Sequence, residues 1–115
     1  MQVGIDVGAT KIESVVLEKD GQEKHRSRIP CPKNYTQIIT SIKDIHRQLE
    51  LEFKRELSIG VCHPGIHSPQ TGLVKNVPNI TWLDKKPFQN DLRKALGKEV
   101  FCENDANCFA LSEAI

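Results

Sequence analysis

The chain has 115 residues, of which 38% are apolar and 27% are charged, a composition typical of one globular domain with a modest core. Its 16 basic and 15 acidic residues leave a net charge of +1, which excludes the strongly basic surface that nucleic acid or an anionic membrane requires. The sequence has no apolar run of the roughly 20 residues that a transmembrane helix needs. Any phosphate chemistry is therefore expected to be local to one site.

The N-terminus and the cysteines predict where the protein resides. Met1-Gln2 leads directly into an apolar run, without the pattern of a signal or transit peptide. The four cysteines form no C-x-x-C pair and no zinc-binding spacing. We interpret Cys62 and Cys102 as buried residues in a reduced cytoplasm, which predicts a cytoplasmic protein.

The most informative stretch comes first in the chain, Asp6-Val7-Gly8-Ala9-Thr10-Lys11, between two β-rich runs. Such a turn lets backbone N–H groups surround an anion, because Gly8 can take positive φ and its neighbours are small. The carboxylate of Asp6 fits beside an anion when a cation binds too, and phosphate with Mg²⁺ is the natural pair. The alternative is an ordinary β-hairpin that contains Asp, Thr and Lys by chance.

Three antiparallel strands are expected at the start of the chain, over residues 3–7, 11–18 and 22–29. Asp20-Gly21 predicts the second turn, because a two-residue type I′ turn requires positive φ at both central positions. The third strand is polar and is expected at the sheet edge.

A first helix is predicted over residues 35–55, where one apolar stripe recurs at helical spacing. That stripe consists of Ile38, Ile42, Ile45, Leu49 and Phe53. By contrast, His25, His46 and His67 are interpreted as solvated.

The second half of the chain alternates strands with helices. Apolar runs at 57–62 and 99–102 predict buried strands, which the intervening helices favour as parallel to the first strand. Pro87 and Gly97 frame a second helix over 88–96. The region between residues 66 and 78 is expected to be irregular.

A third helix is expected from residue 106 onward. It has no stop signal before Ile115, which predicts that the chain is the first lobe of a larger protein. The complete order, βββαβαβα, predicts an α/β lobe with a mixed five-stranded sheet. This is the order of a ribonuclease-H-like lobe, the unit that is duplicated in actin-like ATPases, Hsp70 and sugar kinases.

Three loops should meet where the parallel strands end, because ligands bind at the carboxyl ends of strands in open α/β sheets. Asp105 is either a helix N-cap or a general base toward a substrate hydroxyl. Asn79 is either a turn residue or a ligand of hydroxyl groups, and Asn104 has donors and an acceptor that suit a polyol. His63 is interpreted as a structural histidine in preference to a ligand contact, and Pro64-Gly65 is either a plain turn or a narrow turn that lets backbone approach a ligand.

The ordered motifs resemble the ROK family (repressors, open reading frames and kinases). Asp6-Val7-Gly8-Ala9-Thr10-Lys11 is similar to its phosphate loop, and Glu103-Asn104-Asp105-Ala106-Asn107 is similar to its N-D-A-N signature. Between them, Pro64-Gly65, the run from Thr71 to Asn76, Asn79 and Trp82-Leu83 follow the family's middle segment. The resemblance covers the whole chain and is strongest to the fructokinase/mannokinase branch.

The resemblance implies ATP-dependent phosphorylation of a hexose hydroxyl, such as the 6-OH of fructose or of mannose or glucose, with Mg²⁺. It implies that Asp105 is the catalytic base and that Asp6 holds Mg²⁺ through water. The implied sugar ligands are Asn79, Asn104 and Gly65, and the implied phosphate ligands are Gly8, Ala9, Thr10 and Lys11. The partners are then a hexose and ATP, without nucleic acid or membrane, and a homodimer is compatible with the family.

Two features differ from the family pattern. Ala9 replaces the commoner second glycine of the phosphate loop, and the second lobe, with its adenosine site and in many members a zinc site, is absent from this sequence. Zinc is thus expected only if that lobe supplies Cys and His ligands. The alternatives are a sugar-sensing regulator of the same family and an actin- or Hsp70-like ATP-binding lobe.

Overall fold

The computed structural model of the protein describes residues 1–68, 70–75 and 83–104. In chain order the elements are β1 (Gln2–Val7), β2 (Lys11–Leu17), β3 (Glu23–Pro30), α1 (Tyr35–Phe53), β4 (Ser58–His63), β5 (Ile66–His67), β6 (Val74–Lys75), α2 (Phe88–Leu96) and β7 (Val100–Asn104). Five of the strands form one mixed sheet in the order β3-β2-β1-β4-β7, with β1–β2 and β2–β3 antiparallel and β1–β4 and β4–β7 parallel. The predicted α/β fold with a mixed five-stranded sheet is therefore confirmed. The third predicted helix lies outside the described residues.

The core lies on one face of this sheet. Alternate residues of β1 are buried there (Val3, Ile5 and Val7), as expected when one side of a strand is covered. The buried residues of α1 and α2 join the same apolar cluster, so both helices pack on this face.

Helix α1 differs from its prediction at two points. It ends at Phe53 because Lys54 takes a left-handed conformation, with φ of 55°, and its N–H caps the carbonyl of Glu50. His46 is buried rather than solvated, since its Nε2 lies 2.8 Å from the carbonyl oxygen of Leu57. A buried polar ring is tolerated when it is hydrogen-bonded in this way.

The turn between β2 and β3 is present, but it is not the predicted two-residue type I′ turn. Gly21 has φ of 86°, whereas Asp20 is not left-handed. The N–H of Gly21 and the carbonyl of Glu18 close the turn at 2.9 Å, and the N–H of Gln22 donates to Oδ1 of Asp20. This longer loop with a glycine at its end accompanies a register shift between Val16 and Leu17.

Two further corrections concern the middle of the chain and the cysteines. Residues 66–67 and 74–75 form an antiparallel pair, β5–β6, in a region that was predicted to be irregular. Cys62 is disulfide-bonded, against the expected reduced thiol, whereas Cys102 is a free thiol whose pKa burial raises to about 12. Neither helix of the described ranges is long and apolar enough to cross a membrane.

Candidate functional site

Three parallel strands end side by side at one edge of the sheet. The register aligns Asp6 of β1 with Cys62 of β4, and Cys62 with Glu103 of β7. One residue further on, His63 of β4 pairs with Asn104 of β7. The three loops that were predicted to meet there therefore leave neighbouring strand ends, the usual place for ligands in open α/β sheets.

The predicted turn between β1 and β2 is present, but it does not use the positive φ that Gly8 permits. Gly8 is not left-handed, and its N–H donates to the carbonyl oxygen of Lys11 at 2.8 Å. Gly8 is nevertheless needed for space, since a Cβ there would lie 3.2 Å from that oxygen. The carbonyl of Thr10 accepts from the N–H of Cys31 at 2.9 Å, which ties the turn to the end of β3.

These bonds determine which groups of the turn can meet an anion. The N–H of Gly8 is already used inside the hairpin. Within the described residues, no hydrogen bond is made by the N–H groups of Ala9 and Thr10 or by the Thr10 hydroxyl. Thr10 and Lys11 are exposed and Ala9 is half-buried, so the turn combines two amides that make no described hydrogen bond with an exposed hydroxyl-bearing residue and an exposed lysine. Such a set suits a phosphate group.

Asp6 is the acidic residue beside this turn. Its side chain is exposed and belongs to the sheet face opposite the helices, because its neighbours Ile5 and Val7 are buried. The described residues contain no group of three His, Cys, Asp or Glu side chains that could bind a metal by themselves. A single carboxylate fits Mg²⁺ well, because Mg²⁺ keeps several waters and takes its other ligands from substrate phosphates.

The turn after β4 consists of Pro64 and Gly65. Gly65 has φ of 87°, a left-handed conformation that favours glycine. Nδ1 of His63 lies 2.8 Å from the carbonyl oxygen of Pro64, and the His63 ring is fully buried. The interpretation of His63 as a structural histidine therefore agrees with the structure, while the left-handed Gly65 fits a plain turn as well as a turn that lets backbone approach a ligand.

Asn79 belongs to residues 76–82, which lie outside the described residues, as does Asp105. The residues that flank segment 76–82 are described. The N–H of Val74 donates to the carbonyl of Lys86 at 2.9 Å, and the N–H of Lys85 donates to the carbonyl of Val74 at 2.6 Å. Leu83 is fully buried just beyond the segment. Asn104 is described by its backbone alone, as the last residue of β7.

Sequence reasoning missed Phe88 as part of this site. The residue was predicted only as one of several apolar residues on α2, yet its ring meets His63 edge to face, with centroids 5.5 Å apart. The signal was available in part, because Phe88 is a large aromatic residue at the first position of the predicted helix, directly after Pro87.

The sheet order and the three aligned strand ends define a lobe of the ribonuclease-H-like, actin-like ATPase class. The solved ROK hexokinase from Thermus thermophilus matches it with a TM-score of 0.84 and 31% identity, over 97% of this chain and 37% of that one. The inorganic polyphosphate/ATP-glucomannokinase from Arthrobacter sp. strain KM matches with a TM-score of 0.83 and 27% identity, over 98% of this chain and 47% of that one.

The chain belongs to the ROK family, whose model matches residues 2–115. It is 41% identical over 115 residues to the N-acetyl-D-glucosamine kinase of Haemophilus influenzae (strain 86-028NP). That match covers 99% of this chain and 38% of the relative, so the chain spans well under half the length of the relative. The family that was identified from the motifs is thus confirmed.

Proposed function

We propose that this chain is the N-terminal lobe, residues 1–115, of an ATP-dependent sugar kinase, with the second lobe in sequence beyond it. The observation that most directly supports this proposal is the parallel alignment of β1, β4 and β7. Their ends bring the Gly8–Lys11 turn and the Pro64–Gly65 turn to one edge of the sheet. Phosphoryl transfer consists mainly of positioning and charge neutralisation, and an edge of this kind supplies both.

Asp105 is assigned the catalytic step. It accepts the proton of the attacking sugar hydroxyl, so that the oxygen can attack the terminal phosphorus of ATP and ADP leaves. Asp105 directly follows β7, whose last residue pairs with His63, and this register supports a place beside the Pro64–Gly65 turn. Asn79, Asn104 and the backbone of Gly65 are assigned to the sugar hydroxyls.

The phosphates of ATP are assigned to the turn after β1. Ala9 and Thr10 contribute amides, Thr10 its hydroxyl and Lys11 its charge, while Gly8 contributes clearance rather than a hydrogen bond. Asp6 would hold Mg²⁺ through water, and bound Mg²⁺ would offset negative charge on the phosphates. The predicted cytoplasmic location fits a reaction that uses ATP and stays a prediction, as does a homodimer.

The sugar is proposed to be a hexose or an N-acetylhexosamine. The sequence-based preference for fructose finds no support among the relatives described above, and the relative at 41% identity is named for N-acetyl-D-glucosamine. We therefore expect N-acetylglucosamine to be the best substrate, with glucose, mannose and fructose as the sugars to compare. Zinc is expected only if the second lobe supplies its ligands.

A sugar-sensing regulator is the alternative within the family. A regulator needs to bind sugar but needs no base, so the carboxylate at position 105 favours the kinase. The net charge of +1 also gives this chain no basic surface for DNA.

The test uses the full-length protein that contains this chain. Sugar-dependent ADP release is measured for the four sugars, and Asp105→Asn is compared with wild type and with Asp44→Asn on the exposed side of α1. We expect Asp105→Asn to lower kcat by about 10²–10⁴-fold, as for loss of a general base, while calorimetry shows sugar binding retained. Unchanged turnover in Asp105→Asn would rule out this base, and sugar binding without turnover in wild type would favour the regulator.

A further inference from the structure

His63 is a buried histidine that the proposed reaction does not use. Its side chain is fully buried at the end of β4, and burial lowers its pKa, so the ring is neutral at pH 7. A neutral imidazole carries its hydrogen on one nitrogen only. The carbonyl of Pro64 can only accept, so the hydrogen is on Nδ1, which donates across 2.8 Å.

This hydrogen bond restrains the backbone of Pro64 and Gly65, two residues with little restraint of their own on the peptide that joins them. Pro64 has no N–H to donate, and Gly65, with φ of 87°, has the least side-chain restraint of any residue. The orientation of the peptide between them is therefore set by the bond from His63 to the Pro64 carbonyl. Rotation of that peptide would turn the N–H of Gly65 to a different direction.

The His63 ring also contacts Phe88, the first residue of α2, which follows segment 76–82 in the sequence. Phe88 is fully buried and meets the His63 ring at 89°, with centroids 5.5 Å apart, a favourable edge-to-face geometry. Phe88 closely follows Lys85 and Lys86. The backbone hydrogen bonds of these two residues to Val74 join the two ends of segment 76–82. His63 thus contacts both the Pro64–Gly65 turn and Phe88, which closely follows the residues that flank segment 76–82.

We propose that His63 is a positioning residue for the sugar. His63 holds the Pro64–Gly65 turn in place relative to Val74, Lys85 and Lys86, the residues that flank segment 76–82. This inference rests on the proposed kinase function and adds the group that determines where the Pro64–Gly65 turn lies. The phosphate turn does not depend on it, because that turn is closed by its own bond between Gly8 and Lys11 and is tied to Cys31. The effect should therefore concern the sugar and not ATP.

Three substitutions separate the hydrogen bond from the bulk of the ring. His63→Asn keeps an N–H donor near the place of Nδ1, His63→Gln carries its donor one carbon further out, and His63→Leu fills the space without a donor. In the full-length protein, we measure KM for sugar, KM for ATP, kcat and the melting temperature for each variant. The Asn/Gln pair carries the test if His63→Leu fails to fold.

We expect His63→Leu and His63→Gln to raise KM for the sugar about tenfold, the value of one lost hydrogen bond, with KM for ATP changed less than about twofold. His63→Asn should restore KM for the sugar to within about threefold of wild type. A histidine that only fills space gives a different result: KM for the sugar then follows the melting temperature, and Asn restores nothing. That result, or an equal rise of both KM values, overturns the inference.

The controls distinguish this inference from the proposed function. If wild type phosphorylates no sugar, the proposed function fails and the inference fails with it. If wild type is active and the Gln and Asn variants have the same KM for the sugar, only the inference fails.

Discussion

Nζ of Lys98 lies 3.0 Å from Oε2 of Glu50, a contact that joins the loop before β7 to the last turn of α1. The same carboxylate oxygen accepts the N–H of Leu57 at 2.8 Å. The carbonyl of Leu57 in turn accepts from Lys98 at 3.1 Å and lies 2.8 Å from Nε2 of His46. These contacts fix the backbone that enters β4, at the end of the sheet opposite the candidate site.

Glu50→Gln is expected to lower the free energy of unfolding by about 2 kcal/mol, since hydrogen bonds to a charged group contribute about that much. Urea unfolding of the full-length protein measures the change. Glu52→Gln is the matched control, because Glu52 is exposed on the same helix. Equal midpoints for the two variants would contradict the assigned role of Glu50.

The same carboxylate predicts a dependence of stability on pH. Burial acts to raise the pKa of Glu50, but the bonds from Leu57 and Lys98 outweigh it, and the pKa lies below the ordinary 4.5. A lowered carboxyl pKa contributes stability that is present above 4.5 and is lost as pH falls through the folded-state value. Unfolding midpoints recorded below pH 4.5 should therefore fall more steeply in wild type than in Glu50→Gln.

His63 predicts a second dependence at higher pH. Burial holds its pKa below the ordinary 6.5, although the bond to Pro64 and the charge of Glu103 partly oppose this. The unfolded chain then takes up a proton first, so stability is highest above pH 6.5 and falls as pH drops below it. His63→Asn should remove this slope between about pH 6.5 and 5, and an unaltered slope would show that another group causes it.

Gly8→Val is expected to weaken ATP binding, because a Cβ at Gly8 lies only 3.2 Å from the Lys11 carbonyl and a branched side chain forces the turn apart. We expect KM for ATP to rise about tenfold with KM for the sugar nearly unchanged. Gly60→Ala is the control, since its added Cβ would be 3.9 Å from the nearest atom, an ordinary contact. An equal effect of both substitutions would argue against a specific role for the turn.

The 115-residue chain by itself is expected to release no measurable ADP in the presence of sugar. A phosphate turn at one edge of a sheet contacts ATP from one side only. Phosphoryl transfer requires the sugar hydroxyl and the leaving oxygen of ATP to be held in line. The coupled assay on this chain, beside the full-length protein, measures it. Robust turnover by the chain would mean that the second lobe is dispensable.

Periodicity and turn chemistry predicted most of the fold. The apolar stripe of α1 and the Pro87–Gly97 frame of α2 gave both helices, because those signals are local. The strands β5 and β6 were missed, since two residues are too few to show an alternating pattern.

Polar groups explain the remaining differences. His46 was expected in solvent because a sequence does not show that the Leu57 carbonyl would come within 2.8 Å of its ring. Gly8 was noted as a residue that can take positive φ, and the structure does not use that freedom, because its N–H is bonded to the Lys11 carbonyl in the hairpin. Motifs thus predict which residues gather at a site, while tertiary hydrogen bonds decide which of their atoms are available.

The bonds of Val74 to Lys85 and Lys86 have a consequence for how such proteins diverge. They join the chain before residues 76–82 to the chain after them, so both ends of this segment are fixed by backbone hydrogen bonds of their own. Substitutions, insertions or exchange of this segment with that of a relative should then cost the scaffold little, since a longer loop adds only slowly to closure entropy. Preference among sugars can accordingly drift during evolution while β4, β7 and the phosphate turn stay in place.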